Sequence, residues 1–311
     1  MSNILVTGGN DFIGSNLVDK LAISGRHKVV SLDLYPCLYE PLSKEVTYIQ
    51  GDYSNVTFMK QIIIDRGINI VYHVAWTSIP ETSIEDPLAD MERNLLPTVR
   101  LLEACRQGGI ERFIFISSGG TVYGIPQTIP IKENHPTDPI NAYGITKLAV
   151  EKYLQMYYHL YGLEYVIFRP SVPYGPRQNP LRRQGAVAVF IYKALRGETI
   201  TIWGDGESLR DYFYIDDMSR ALVTAINRPA KANTIFNLAG AQGYTLNQLV
   251  SIIEETLKVD IEVKYQVARK FDVQRLRLDT GMATKTLNWQ SEIALTEGIQ
   301  KTAEWIRKWI R

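Results

Sequence analysis

Tyr143 and Lys147, four residues apart in the stretch NAYGITK, are the side chains of this chain best placed to move a proton together. On a helix that spacing puts both on one face. A phenol with an ordinary pKa of about 10 is a poor base at neutral pH unless a cation favours its phenolate, and Lys147 can be that cation. The spacing is common on helix faces, so its meaning depends on what stands beside it. SSGGTVYG, residues 117–124, closes an apolar run shortly before it and brings hydroxyls to the end of a strand.

A second constellation lies at the start of the chain. ILVTGGNDFIGSNLVDKL reads as a buried strand, a glycine turn and a helix whose first amides, around Phe12 and Ile13, can receive phosphate oxygens. Gly8 makes the tight turn and Gly14 lets helix and strand approach. Asp33, about 20 positions on at the end of VVSLD, is placed for both ribose hydroxyls of NAD and would repel the extra phosphate of NADP. GDY (51–53) puts Asp52 and Tyr53 at a third strand end, where an acid meets an adenine amine. HVAW (73–76) offers the backbone of Val74 and Ala75 at a fourth. Asp11 is the anomaly: a carboxylate stands where the turn closes on a pyrophosphate. If that position needs positive φ, Asp11 costs about 1–2 kcal/mol, and a charge about 6 Å from phosphate adds roughly 2–3 kcal/mol. NAD would bind about two orders of magnitude more weakly, unless Asp11 turns outward or pairs with a cation, and Asp11→Gly would tighten it.

The elements that must hold these residues alternate along the first half. Apolar runs start at Asn3, His27, Val46, Ile68 and Arg112, with helical stretches at 12–24, 54–66, 88–107 and 143–161. Strand and helix in turn predict an α/β fold with a Rossmann-type, doubly wound parallel sheet. The regularity fails around GPRQNPLRRQG, so residues 1–168 read as the cofactor-binding domain and 169–311 as a smaller interleaved substrate lobe. Returns to the first sheet are expected near 212–226 and 233–240. TEGIQKTAEWIRKWIR places Ile299, Ala303, Trp305 and Ile306 among charges, as an amphipathic helix packed on the body does.

Composition narrows the partners. The chain has 311 residues, 45% of them hydrophobic and 22% charged, with a net charge of +1, so no basic excess points to nucleic acid. Cys37 and Cys105 make neither a disulfide framework nor a zinc set, and His27, His73, His135 and His159 lack metal-ligand spacing. No apolar run approaches the roughly 18 residues of a membrane span. With no charged leader before the first strand, the expectation is a cytoplasmic protein with no membrane partner and no metal.

Taken together, TGG..FIG, LD, GDY, ERN, SSGGTVYG, YGITK, RP..PYGPRQ, GDGESLRDYFYIDD and RLDTGMATKTLNW resemble the NAD-dependent epimerase/dehydratase group of extended short-chain dehydrogenases, above all its UDP-glucose 4-epimerases. The resemblance covers nearly the whole chain. It implies a hydride shuttle: Tyr143 takes the proton of a sugar 4-hydroxyl while NAD takes and returns the C4 hydride, and Lys147 also holds the nicotinamide ribose. It implies further that Asn94 braces the catalytic strands and that Ser117 and Pro170 lie at the cofactor. Arg210 and Arg269 would clamp the nucleotide diphosphate, two guanidiniums suiting it by forked donation. Trp203 would pack near the uracil or ribose, or else in the core. Leu276 would gate the sugar's 2-substituent, leaving room for an N-acetyl group.

Three positions depart from that pattern: Asp11, Gly119 in place of a strand-end hydroxyl, and Val172 in place of an asparagine on the substrate side. Ser118 or Thr121 would complete the relay that Gly119 cannot. Thr121 also stands where the related dehydratases and decarboxylases carry an acid, which favours epimerisation. The alternatives left open are a 4-keto-sugar reductase, a UDP-uronate 4-epimerase and a weakened nucleotide-sugar binder. Residues 95–107 and 143–161 carry apolar side chains beyond one face, for example Val150, Tyr153, Leu154 and Tyr157, and predict a homodimer through a four-helix interface.

Overall fold

The computed structural model describes residues 2–37, 45–182, 185–227, 233–269 and 273–309. The first apolar run forms β1 (Ser2–Thr7), followed by α1 (Phe12–Ile23), β2 (His27–Asp33), β3 (Val46–Gln50), α2 (Val56–Asp65) and β4 (Ile70–His73). The fourth crossover is split into α3 (Pro80–Glu85), α4 (Pro87–Asp90), a π-helical turn (Met91–Leu95) and α5 (Leu96–Gly108). β5 (Arg112–Ile116) leads by a long loop to α6 (Ala142–Tyr161) and β6 (Glu164–Pro170). α6 begins at Asn141, whose side chain accepts the Gly144 N–H, and ends at Gly162 with φ 73°.

Smaller elements follow: β7 (Val172–Tyr174), α7 (Ala186–Arg196), β8 (Ile200–Trp203), β9 (Leu209–Arg210), β10 (Tyr212–Tyr214), α8 (Ile215–Asn227), β11 (Thr234–Leu238), β12 (Tyr244–Thr245), α9 (Leu246–Leu257), β13 (Val263–Gln266), α10 (Gly281–Leu287) and α11 (Leu295–Trp309). Seven strands form one parallel sheet in the order β11-β6-β5-β4-β1-β2-β3. Consecutive residues of β1, Ile4, Leu5 and Val6, are fully buried, because helices cover both faces. The strand order reverses between β1 and β4, and there the carboxyl ends open a crevice. β7 pairs with β10, β9 with β12 and β8 with β13, building a second layer beyond those ends.

α8 packs on α1, and β11 extends the main sheet beside β6, so the chain does return to its first layer after leaving it. In α11, Ile299, Ala303 and Ile306 are fully buried and Trp305 partly so, as the amphipathic pattern predicts. The continuous helix expected over 88–107 is instead interrupted by the π turn. Its extra residue lets Asn94 face inward and donate to the Asp90 carbonyl (3.0 Å) and carboxylate (3.1 Å). Among the described residues, no helix is long and apolar enough to cross a membrane.

Candidate active site

The glycine turn is built by backbone contact. Gly8 has φ 72°, and a Cβ there would sit 2.6 Å from the Ala75 N and Cα, so only glycine serves. Val74 and Ala75 hold that approach by donating their N–H groups to the Thr7 carbonyl at 3.1 and 3.0 Å. A Cβ at Gly14 would collide with the Gly8 carbonyl oxygen, so turn and helix touch. Asp33 ends β2 and accepts the Asn10 N–H (3.1 Å) and Tyr35 N–H (3.2 Å), while burial raises its pKa. Asp52 accepts the Ser54 N–H at 2.8 Å. Tyr53 turns into the core, its ring 5.1 Å from His73, so its side chain is withdrawn from cofactor contact.

Asp11 has φ −89° and ψ −177°, an extended backbone that any residue adopts, so the left-handed strain does not arise. It is the N-cap residue of α1, yet its side chain makes no bond to the helix and pairs with Arg182 at 2.7 Å. The first-turn amides of α1 have no intrahelical partner, and Phe12 and Ile13 line the adjoining cleft. Glycine turn, open helix end and Asp33 fit a dinucleotide.

α6 brings Tyr143 and Lys147 to one wall. The Tyr143 N–H donates to Ser83 Oγ at 3.0 Å, and its ring meets Trp76 edge-on at 6.0 Å. Burial raises the phenol well above its usual value, and the negative charge of Asp90 adds to this. Lys147 is 3% exposed; its Nζ donates to the Ile116 carbonyl at 2.8 Å and lies 3.6 Å from the Trp76 ring centroid. Burial pulls its pKa well down, opposed by Asp90 and Glu151. Lys147, expected to favour the phenolate, is therefore turned to a carbonyl and an indole face, its Nζ 5.7 Å from the Tyr143 ring centroid.

A buried network fixes this wall. Asn94 Oδ1 accepts the Thr77 N–H at 2.9 Å, and its Nδ2 donates to Ser78 Oγ at 3.1 Å, bracing the loop after β4. Asp90, 2% exposed, accepts from Ser78, from Asn94 and from Thr146 Oγ1 at 2.5 Å, which ties that loop to α6. His73 bridges Thr7 and Thr98 at 2.7 and 2.9 Å, and burial, with the Lys147 charge, pushes its pKa down to about 3. Ser117 leaves the cofactor side: its hydroxyl donates to Glu151 at 2.5 Å, and Glu151 pairs with Arg169. Pro170 closes β6 and accepts the Gly119 N–H at 2.9 Å.

Over the strand ends lies a cleft of about 1000 Å³. Ser118, Thr121, Tyr143 and Val172 line it, together with Trp203, Arg210, Arg269 and Val273. Thr121 Oγ1 is buried without a hydrogen-bond partner among the described residues. Arg210 donates to the carbonyls of Leu209 (2.7 Å) and Val273 (2.6 Å) rather than to Asp211 or Asp216. Arg269 lies 3.9 Å from Glu81 and 5.7 Å over the Trp203 ring, and Trp203, 42% exposed, is no core residue. Leu276, expected as a gate, is 1% exposed and packs in one cluster with Val122, Tyr123, Ile131, Val273 and Leu278, of which Val273 reaches the cleft lining. The alternation of side chains along the segment places Leu276 inward.

Residues 4–239 match the sequence profile of the NAD dependent epimerase/dehydratase family. The chain belongs to that family. It is 36% identical to the UDP-glucose 4-epimerase of Mycolicibacterium smegmatis over 315 residues, 97% of this chain and 98% of that one. Among solved structures, UDP-glucose 4-epimerase of Thermotoga maritima with UDP-glucose superposes with a TM-score of 0.93 at 37% identity, covering 99% and 100% of the chains. UDP-glucose 4-epimerase of Thermus thermophilus in complex with NAD gives 0.90 at 33% identity, covering 98% and 99%. NAD is the cofactor of the family.

Gly119 gains a reason within the family pattern. A Cβ there would lie 2.5 Å from Leu278 Cδ1 and 2.8 Å from the Arg169 carbonyl oxygen, so a serine does not fit this backbone. Three residues escaped the sequence reading: Asp90, Trp76 and Arg182. Asp90 stands four before Asn94, a helical spacing that could have marked it. Trp76 lay inside a stretch read for its backbone alone. Arg182 sat in the loop taken only as a lobe boundary, 171 residues from its partner.

Proposed function

We propose that the chain is a UDP-sugar 4-epimerase acting on UDP-glucose and UDP-galactose, with the N-acetylhexosamine pair as a second substrate class. The observation that carries this reading is the cleft itself, where Tyr143 and the unpartnered Thr121 hydroxyl share one chamber with Arg210 and Arg269. Tyr143 exchanges a proton with the sugar 4-hydroxyl, and Thr121 supplies the hydroxyl that Gly119 lacks. NAD, which Gly8, Gly14, the open first turn of α1 and Asp33 would hold, would supply the acceptor for the C4 hydride and its return to the other face. Arg210 and Arg269 hold the diphosphate, Trp203 packs on the nucleoside, and Val172 lines the sugar end. In this reading residues 1–168, with the later returns, hold the cofactor and the remainder holds the nucleotide sugar.

The enzyme acts as a homodimer through α5 and α6. Support comes from Ile145, Tyr153, Met156, Leu160 and Tyr161, which are 36–56% exposed on α6. Val150, Leu154 and Tyr157, named earlier for this interface, point into the core. A cytoplasmic address fits a nucleotide-sugar substrate. The test is NMR of the sugar C4 signals after incubation with UDP-glucose or UDP-N-acetylglucosamine and added NAD. The C4 epimer is expected to form and to be absent with Tyr143→Phe. No epimer from either sugar overturns the proposal, and stoichiometric consumption of a reduced nicotinamide would mark a reductase.

A further inference from the structure

Asp11 is a good helix-capping residue that does not cap its helix. Four N-cap side chains elsewhere in this chain do so, Asn55 accepting from the Phe58 N–H, Asp86 from Ala89, Asn141 from Gly144 and Thr245 from Gln248, whereas Thr280 and the buried Asp90 do not. At α1 no such bond forms, and the carboxylate lies on Arg182 instead, 2.7 Å away. A side chain that did cap α1 would occupy the amides that a pyrophosphate needs.

We propose that Arg182 draws Asp11 off the end of α1, so that the phosphate-binding amides stay open and the carboxylate is neutralised beside them. Arg182 is held in position by its own loop. Arg177 pairs with Asp19 on α1 at 2.6 Å, the two side chains 14% and 10% exposed, and Asn16 Nδ2 donates to the Pro176 carbonyl at 3.2 Å. The Arg182 N–H donates to the Asn179 carbonyl at 3.3 Å. The segment carrying Arg182 is thus docked along the same helix whose first turn it keeps clear. This makes the 176–182 loop part of the cofactor site, and it accounts for an acid at position 11 without loss of NAD binding. The inference depends on the cofactor and not on which sugar is turned over.

The experiment is calorimetric titration of the full-length protein with NAD, for wild type, Arg182→Ala, Asp11→Ala and the double variant. Arg182→Ala is expected to weaken NAD about 10- to 100-fold, because Asp11 returns to the helix end. Asp11→Ala should stay within about threefold of wild type, and the double variant should match Asp11→Ala. The melting temperature of cofactor-free Arg182→Ala should not fall, since a freed Asp11 caps α1. Unchanged affinity in Arg182→Ala overturns the proposal. So does an equal loss in the single and double variants, which would mean that Arg182 touches the cofactor itself, and so does a lowered melting temperature, which would mean that the loop has merely come loose.

Discussion

The glycine turn and the Tyr143–Lys147 face of α6 solve the same problem, fixing a few groups in place at the sheet's carboxyl ends, by opposite means. At the turn the backbone does the positioning: Gly8 and Gly14 are set by contacts that a Cβ would break, while the Asp11 side chain stands half-exposed and reaches a partner. At α6 the side chains do it: Asp90, Asn94 and Thr146 are under 4% exposed and joined by hydrogen bonds, and Lys147, equally buried, donates to the Ile116 carbonyl. A departure in an exposed side chain is therefore tolerated at the turn, whereas a departure in the buried network leaves polar groups without partners. The chain's unusual residues follow that division, Asp11 being absorbed by an ion pair and Gly119 by close packing.

The contrast can be broken or sharpened by substitution. Tyr143→Phe should lower kcat by about 10²- to 10⁴-fold with little change in melting temperature, read by steady-state kinetics. Asp211 is a second buried electrostatic load: burial pushes its pKa up to about 7, and although Oδ2 accepts the Leu278 N–H at 2.8 Å, Oδ1 has no partner among the described residues. Because the folded state holds that proton more tightly than the unfolded chain, wild type should lose stability as pH rises from about 4 to 7, by up to about 4 kcal/mol. Asp211→Asn should flatten this dependence in denaturant melts; a pH slope the same in both proteins would show that Asp211 is ionised at no cost.

Asp90→Ala, which strips Ser78, Asn94 and Thr146 of their acceptor, should cost about 2–4 kcal/mol in chemical denaturation and also lower activity. Gly119→Ser restores the hydroxyl of the family pattern, yet the Leu278 and Arg169 contacts predict a loss of about 1–3 kcal/mol and no gain in rate. A faster enzyme would show that the backbone yields. Asp11→Gly, expected from sequence to tighten NAD by about two orders of magnitude, should now change its affinity by less than about threefold. A large gain would mean that the pair with Arg182 does not shield the cofactor.

Most of the fold was legible because its signals are local. Apolar runs between helical stretches mark strands buried on both faces, and a left-handed turn demands the glycine found at Gly8. Tyr143 and Lys147 needed only helical spacing to share a face, and Asp33 only a strand end. Their electrostatics were not legible. Lys147 is turned to Ile116 and Trp76 by packing across β4, β5 and α6, and the Tyr143 phenol is shifted upward by burial that no motif records. Leu276 was read from a family position, and its burial beside Val122 and Ile131 was not legible there.

By itself, then, the sequence determined the parallel sheet, the dinucleotide turn and the helix that carries Tyr143 and Lys147 on one face, since each follows from spacing along a few residues. Which partner each side chain takes was decided only by the tertiary structure: Asp11 with Arg182, Asp90 with Thr146, Ser117 with Glu151. Those pairs span 34 to 171 residues. Periodicity carries no information over such distances, because it is the packing of whole elements that brings the two ends together.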